Sequence, residues 1–481
     1  MSWVGAGHVV GQSFWFGSLL VLAALLSPGA FGTVAVGLLM VTAATRLMGS
    51  GTRGSMILAP RLTRAHVTTA LTVNVATGLA LGSAIVVASV PMAHTFAHGA
   101  DPLVLAVLGA SVALYAPSIV PLTLLEKQLQ FKRRASVQAS AATTAAIVSI
   151  AAGLLGAGVW SLVIRQVVFQ ALLATLGWVA ARPLIPPRVS DPDAPRFVRL
   201  KRQGAMAFVL FSLTDFVVFN ADYLTVGHFT DTTQLGLYSL GYTLAFAPVS
   251  QFSVQLGSVL FPAAAASDAE TIRRRTIRGV RLSCLVLFPL IPVAFVLAPV
   301  VIPAVLGARW EGMVVPFQIL LAVGVAHAVV NVIGESLSGT GHIDFRAWIN
   351  VVWMLAMIGA LVVLVQADGI RGAALAHLIL YVPVALAYGF WGMRLLGAKA
   401  GQLGGALGAV GGMIALQAVV TIAVVASLME TSVPEAVRVA LAAGAGLAAG
   451  VCLVVARGGA ALMDARSFVT GKASSRSRAS A

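Results

Sequence analysis

Long apolar runs separated by short polar segments repeat along the whole of this 481-residue sequence. A helix that crosses a membrane needs about 20 mostly apolar residues. The pattern therefore predicts an all-α integral membrane protein with about fourteen transmembrane helices. The predicted spans are 9–27, 31–50, 65–91, 102–124, 135–156, 158–181, 204–226, 234–262, 280–305, 312–337, 346–366, 370–393, 403–428 and 434–456.

The basic residues between the spans give the predicted orientation. Of 31 lysines and arginines, 26 fall in alternate loops or in the C-terminal tail, and three fall in the opposite loops. Cytoplasmic loops of membrane proteins carry an excess of lysine and arginine. The alternation therefore predicts a multi-pass protein with both termini in the cytoplasm, because a missed helix would invert the pattern downstream of the error.

Composition excludes several classes of protein. The chain is 59% hydrophobic and 10% charged, whereas about a quarter of a soluble domain is charged. The net charge of +15 would suit a nucleic-acid binder, but the basic residues sit in short runs between spans, so no nucleic-acid partner is expected. The two cysteines lie far apart in apolar runs, which predicts no metal site.

The sequence contains no phosphate-binding loop, no zinc-protease motif and no persuasive catalytic cluster. We therefore expect no cofactor and no enzymatic activity. Nothing in the sequence predicts hydrolysis of ATP by this chain. The basic stretch 268–281 is predicted either as a solvated cytoplasmic loop or as an amphipathic segment lying on anionic lipid.

Local similarities at nearly constant offsets indicate an internal repeat. Two six-helix lobes related by a pseudo-twofold axis along the membrane normal would follow, with two further helices at the C-terminal end. The paired segments are 31–37 with 235–241, 131–132 with 345–346, and 158–162 with 369–373. The predicted divisions are an N-lobe at 1–181, a cytoplasmic linker at 182–203, a C-lobe at 204–396, helices 13 and 14 at 397–456, and a basic cytoplasmic tail at 457–481.

Nearly the whole chain resembles the Wzx-type polysaccharide flippases of the multidrug/oligosaccharidyl-lipid/polysaccharide exporter superfamily. The segments that carry the resemblance include LLEKQLQFKRR (124–134), GAGVWSLVIRQVV (156–168), NADYLTVGHF (220–229), LGLYSLGYTLAFAPVSQFSVQLGSVLFPAAA (235–265) and ARWEGMVVPFQILLAVG (308–324). The resemblance implies a transporter of the bacterial cytoplasmic (inner) membrane that moves lipid-linked oligosaccharide units outward by alternating access.

The same resemblance implies the partners. They are a glycan linked to polyprenyl pyrophosphate, the surrounding membrane lipids, H⁺ or Na⁺ as a coupling ion, and the glycosyltransferases and polymerase of the same pathway. The alternatives are a multidrug or small-molecule exporter and a peptidoglycan-precursor flippase of the same superfamily. A membrane glycan polymerase should carry a long outer loop with catalytic residues, and the longest predicted outer loop, 91–102, has one carboxylate and no basic residue.

Two acidic residues of the seventh predicted helix, Asp215 and Asp222, are candidates for the mechanism. A spacing of seven residues places them on nearly the same face of a continuous helix. A charged group at the centre of a span costs about 2.5–3.5 kcal/mol on insertion scales and normally faces a cavity or a partner. Each carboxylate could therefore exchange a proton or bind a cation, or it could form an ion pair that holds the packing. Asn220 completes an N-x-D pattern typical of the resembled family.

Two arginines of the spans are candidates for contact with an anionic substrate. Arg165 in the sixth predicted helix could bind pyrophosphate oxygens through its guanidinium, or it could pair with Asp215 or Asp222. Arg46 lies near the cytoplasmic end of the second helix, where it could line a cavity or reach the interface.

The remaining candidates are neutral or weakly ionisable side chains that could bond sugar hydroxyls or move a proton. Hydrogen bonding between packed helices is the alternative for the histidines and glutamines, whereas Glu335, near the cytoplasmic end of its helix, could instead meet water. They are Gln251 and Gln255 in helix 8, His327 and Glu335 in helix 10, and His377 in helix 12.

Overall fold

Helices account for nearly all of the chain that a computed structural model describes, namely residues 2–59, 62–186, 214–265, 268–287, 290–397, 400–429 and 435–470. No strand occurs among these residues. A backbone in hydrocarbon must satisfy its polar groups internally, which a helix does within one segment. Ten of the described helical stretches are long and apolar enough to cross a membrane, so the predicted all-α membrane architecture is confirmed.

Contacts divide the chain into two compact units. The first unit is Met1–Val209 with Phe219–Ser239, and the second is Leu210–Val218 with Leu240–Ala481. In the first unit α1 packs on α6, α3 on α4, and α6 on α7. Its helices are α1 (Ser2–Leu25), α2 (Pro28–Leu58), α3 (Arg64–Phe96), α4 (Pro102–Tyr115), α5 (Ile119–Lys127), α6 (Phe131–Leu154), α7 (Trp160–Ala181) and α8 (Ala221–Phe229).

Local sequence signals set several helix ends in the first unit. The Thr63 side chain accepts a hydrogen bond from the backbone N–H of His66, and the His66 side chain accepts one from the backbone N–H of Thr63, so a capping box begins α3. Asp101 caps α4 through the backbone N–H of Leu103. Gly156 and Gly158 have positive φ angles and form the predicted turn between the fifth and sixth spans.

The helix α9 (Thr232–Ala265) crosses α2 at a glycine pair. A Cβ atom added at Gly32 would collide with the carbonyl oxygen of Thr232, and one added at Gly236 would collide with the carbonyl oxygen of Pro28. Small residues allow membrane helices to approach this closely. Gly32 and Gly236 are the matching glycines of the two similar segments 31–37 and 235–241.

In the second unit α12 packs on α13, α14 on α15, and α10 on α12. A 3₁₀ segment, Ala308–Met313, precedes α12, and a π-helical turn, Tyr388–Gly392, follows α13. The helices are α10 (Ala269–Leu287), α11 (Ile291–Leu306), α12 (Val314–Gly339), α13 (Ile343–Ala387), α14 (Ala400–Met429) and α15 (Glu435–Thr470).

The long helix α13 is a hairpin with two arms, 343–367 and 370–387. Asp368 (φ −144°, ψ 26°) and Gly369 (φ 53°, ψ −131°) leave helical geometry. The rings of Trp353 and Tyr381 lie 4.6 Å apart between centroids, although 28 residues of straight helix would separate them by about 42 Å. The predicted turn at Ala367–Gly369 is therefore confirmed.

Several predicted segments lie wholly or partly outside the described residues. These are most of the linker at 182–203, the first part of helix 7 at 204–213, and the end of the tail at 471–481. Within the described residues α15 continues to Thr470, beyond the predicted end of the last span at 456.

The basic stretch 268–281 is helical from Ala269 and begins α10. Hydrogen bonds from Thr271 hold the pKa of Asp268, at the start of this helix, below its usual value.

We predict that Gly236→Ala lowers the thermal unfolding temperature in detergent, because the new methyl group meets the backbone of α2. Overpacking costs about 1–3 kcal/mol, and a backbone neighbour gives little room for relief. Gly359→Ala is the matched control, since a Cβ there meets no atom within 4 Å. Equal unfolding temperatures for the two variants would contradict the close crossing.

Candidate functional site

Histidine and aromatic side chains gather inside the second unit, in what we call the histidine–tyrosine cluster: Tyr242, Phe246, His327, His377 and Tyr381. The Nδ1 atom of His327 lies 3.1 Å from the hydroxyl oxygen of Tyr381. The rings of Tyr242 and Phe246 are stacked at 4.6 Å, and they flank His377 at 5.8 Å and His327 at 5.7 Å, respectively. The structure thus brings together two histidines that the sequence places in separate helices.

Trp353 and Asp215 lie at the margin of this cluster. Trp353 meets the ring of Tyr381 edge-on. Asp215 is half-buried and close enough to Tyr381 and Tyr388 to interact with them electrostatically. His377 and Tyr381 are fully buried. The cluster therefore combines imidazole and phenol groups inside one unit, with a carboxylate at its margin.

These groups can accept and release protons. Histidine is the side chain whose charge changes most readily near neutral pH, and an ionisable group within a membrane span is a candidate functional site. The contact between His327 and Tyr381 gives the imidazole a hydrogen-bonding partner. Tyr242 and Phe246 lie on α9, His327 on α12, and His377 and Tyr381 on α13, so the contacts of the cluster join these three helices.

Glu335 lies apart from the cluster, near the end of α12. Its carboxylate accepts a hydrogen bond from Arg346 at 3.1 Å, and the same guanidinium nitrogen donates to the Ser338 hydroxyl at 2.8 Å. The side chains of Arg346 and Glu335 are 13% and 26% exposed. This ion pair joins the end of α12 to the start of α13.

Asp222 is fully buried in the first unit. The Tyr238 hydroxyl donates a hydrogen bond of 2.6 Å to one carboxylate oxygen, and the backbone N–H of Tyr223 donates one of 2.9 Å to the other. Hydrogen bonds to a carboxylate are among the stronger ones in proteins. They hold α8 against the start of α9.

The prediction that Asp215 and Asp222 share one helical face is wrong. The chain is helical at 214–218, turns at Phe219 and Asn220, and becomes helical again in α8. Asn220 has φ −142° and ψ −6°, which is not helical. Asparagine competes with helical hydrogen bonding and favours helix ends, so the N-x-D pattern begins a new helix. The two aspartates belong to different units.

Arg165 is 4% exposed on α7. Its guanidinium carbon lies 3.5 Å from the ring centroid of Trp15, and one guanidinium nitrogen donates to the Trp15 carbonyl at 3.2 Å. Trp15 also packs against Phe169. Within the described part of the chain, Arg165 contacts this indole on α1 rather than a carboxylate, and the arrangement is a cation–π interaction.

The other predicted residues are placed as follows. Arg46 lies on α2 with an exposed side chain. Gln251 and Gln255 lie on α9, and their side chains are outside the described part of the structure.

The family-like segment 124–134 forms a polar clamp at the ends of three helices. Glu126 accepts hydrogen bonds from Arg53 and Arg134, each at 2.7 Å. The ammonium group of Lys127 donates to the carbonyls of Met56 and Ile57 at 2.9 and 3.0 Å, and to that of Ala59. These carbonyls end α2 and have no helical donor. The segment therefore fastens α2 to α5 and α6.

Sequence reasoning missed the aromatic partners of the ionisable residues: Trp15, Tyr238, Tyr242, Trp353 and Tyr381. Helical spacing offered one usable signal, because residues four apart lie on one face. His377 with Tyr381 and Tyr242 with Phe246 both follow this spacing. The contacts of Trp15 with Arg165 and of Tyr238 with Asp222 join different helices and leave no such trace.

Comparison with known proteins places the chain in a family. Residues 21–315 match the sequence profile of polysaccharide biosynthesis proteins, and the chain belongs to this family. It is 23% identical over 370 residues to the lipopolysaccharide biosynthesis protein WzxC of Escherichia coli, covering 76% of this chain and 74% of WzxC. It is 24% identical over 304 residues to the succinoglycan biosynthesis transport protein ExoT of Rhizobium meliloti, covering 61% of this chain and 59% of ExoT.

Solved structures give the fold. The lipid II flippase MurJ, in an inward closed conformation, superimposes with a TM-score of 0.71 at 12% identity, covering 94% of this chain and 97% of MurJ. An inward-facing multidrug resistance transporter of the MATE family and MOP superfamily gives a TM-score of 0.57 at 15% identity, covering 81% of this chain and 98% of the transporter. The resemblance to Wzx-type flippases of this superfamily is confirmed, and the related proteins are transporters and flippases rather than enzymes.

We predict that Tyr238→Phe destabilises the protein, because Asp222 stays buried and loses its phenolic donor. Leaving a buried acceptor short of a partner costs about 1–3 kcal/mol. Thermal unfolding in detergent would measure the loss. In an Asp222→Ala background no side-chain oxygen remains to accept from Tyr238, so the same tyrosine change should cost clearly less. An equal loss in both backgrounds would contradict a direct bond.

A double-mutant cycle tests the contact of Arg165 with Trp15. We expect the stability losses of Arg165→Met and Trp15→Leu to be non-additive, with a coupling of about 0.5–2 kcal/mol, the range of cation–π pairs. Strictly additive losses would show that the two side chains act independently.

Proposed function

We propose that the protein transports lipid-linked oligosaccharide or polysaccharide units across the bacterial cytoplasmic membrane by alternating access. The single observation that carries this proposal is membership of the polysaccharide biosynthesis family, with relatives named for lipopolysaccharide and succinoglycan biosynthesis. The fold shared with a lipid II flippase also supports transport of a lipid-linked glycan. The lipid-linked glycan would come from glycosyltransferases and pass to a polymerase of the same pathway.

We infer that both termini lie in the cytoplasm. The distribution of basic residues supports this orientation, since 26 of 31 fall on one side of the predicted spans. The polar clamp of Glu126 and Lys127 and the ion pair of Arg346 with Glu335 then lie at the cytoplasmic ends of their helices.

We further propose that transport is coupled to protons through the histidine–tyrosine cluster, with Asp215 as its carboxylate. The contact of His327 with Tyr381 and the ring contact of His377 with Tyr242 support a site for proton exchange within the second unit. Asp222 and Arg165 then serve the packing of the first unit, in agreement with their contacts to Tyr238 and Trp15.

Peptidoglycan-precursor flipping is the second candidate, and the fold similarity to MurJ favours it. One reconstitution separates the two functions. Purified protein in proteoliposomes would receive a fluorescent polyprenyl-pyrophosphate oligosaccharide or fluorescent lipid II, and a membrane-impermeant quencher would report transfer between leaflets. We expect transfer of the oligosaccharide lipid and little transfer of lipid II. The opposite preference would contradict the proposed substrate.

We predict that a pH gradient across these vesicles accelerates transfer by the wild-type protein. Replacing either cluster histidine (His327→Gln or His377→Gln) should reduce this acceleration by about tenfold, within the usual range of coupling free energies. His342→Gln is the matched control, because His342 contacts Thr340 outside the cluster. An unchanged gradient response in both cluster variants, with normal folding, would contradict proton coupling at this site.

A further inference from the structure

An apolar groove is formed by the two arms of the α13 hairpin and by the π-helical turn Tyr388–Gly392 that follows the second arm. Its volume is about 350 Å³. The first arm contributes Trp348, Val352, Trp353 and Ala356 to the lining, and the second contributes Pro383, with Trp391 beyond it. Trp348, Val352 and Trp391 are 71%, 64% and 58% exposed. The groove therefore opens on a surface that hydrocarbon covers in a membrane.

The backbone and small side chains explain why the arms leave this space. Ala356 projects only a methyl group into the groove. Pro383 lacks an N–H and interrupts the helical hydrogen bonds of the second arm. The π-helical turn at Tyr388–Gly392 inserts additional backbone, a feature often found at functional sites.

The two exposed indoles mark the depth of the groove in the membrane. Trp348 is 21 residues before Gly369, at the hairpin turn, and Trp391 is 22 residues after it. At 1.5 Å per residue both lie about 30 Å from the turn, which is the thickness of the hydrocarbon core. Indole side chains concentrate at the membrane interface. The groove thus reaches the interface opposite the turn.

Positive charge lies at the same end of the hairpin. Arg394 is exposed and follows Trp391 by three residues, about one helical turn. Arg346 precedes Trp348 by two residues and is held by Glu335. In the orientation proposed above this end lies in the cytoplasm, where basic groups beside spans bind anionic lipid head groups.

We propose that the groove is a binding site for an anionic phospholipid, with one acyl chain between the arms and the phosphate at Arg394. An almost entirely apolar lining offers a polar solute few partners. Bilayer hydrocarbon is as apolar as the groove, so the preference comes from dispersion contacts with the aromatic walls and from the charge at the rim. Both features suit one chain and one anionic head group.

Trp353 connects this lipid site to the histidine–tyrosine cluster. It lines the groove and also meets Tyr381 edge-on, and Tyr381 contacts His327. A bound acyl chain would press on one side of an indole that packs against the cluster. The proposal itself does not depend on which substrate the protein transports.

Photo-cross-linking tests the site. The full-length protein would be reconstituted in phosphatidylcholine vesicles that contain phosphatidylglycerol with a diazirine on one acyl chain, and labelled residues would be mapped by mass spectrometry. We expect labels concentrated at 348–356 and 383–391. Ala356→Trp should reduce them by about tenfold, whereas Leu355→Trp, on the adjacent exposed residue outside the groove lining, should not.

Arg394→Gln gives a second variant on an exposed position, where folding is not at risk. It should reduce labelling to the level obtained with a diazirine phosphatidylcholine. Labels spread evenly along the exposed face, including Val362 and Val363, would overturn the proposal. Displacement of the labels by polyprenyl phosphate, but not by unlabelled phosphatidylglycerol, would also overturn it, because the occupant would then be the carrier lipid.

Discussion

Every ionisable group within a span needs a partner inside the protein, because hydrocarbon offers none. This constraint explains where the buried charges of the chain lie. Arg165 rests on the indole of Trp15, and Asp222 accepts a hydrogen bond from Tyr238. Both contacts join helices that are distant in sequence, so satisfying the charge also fixes the packing of the first unit. The glycine crossing of α2 with α9 completes that packing through backbone contact.

The second unit meets the same constraint in a different way. Instead of one charge with one partner, it gathers two histidines, two tyrosines and a nearby aspartate. In the proposed mechanism a proton taken up by this group would favour one of the two states that alternating access requires. Proton coupling is the energy source that we propose for this member of a polysaccharide biosynthesis family, whose sequence offers no motif for ATP hydrolysis.

Hydropathy predicted most of the helices, and span length together with glycine positions predicted two of the turns. These signals are local properties of the sequence. Gly156 with Gly158 and Asp368 with Gly369 end helices where the sequence indicated. The break at Phe219 and Asn220 was missed because it interrupts an apolar run that hydropathy reads as continuous. The partners of Arg165 and Asp222 were missed because contacts between distant helices leave no periodic signal. Of the ionisable residues that the sequence places within spans, Arg165, Asp222 and His377 are buried and Asp215 is half-buried. The residues that contact them could be identified only from the fold.

Proton movement during transport is the most direct test of coupled lipid-linked glycan flipping. Vesicles containing the protein and a trapped pH-sensitive dye would receive a polyprenyl-pyrophosphate oligosaccharide in the outer leaflet. We predict a change in internal pH that requires both the protein and the substrate lipid and that has the same time course as lipid transfer. Lipid transfer at the full rate with no movement of protons would contradict the proposed mechanism.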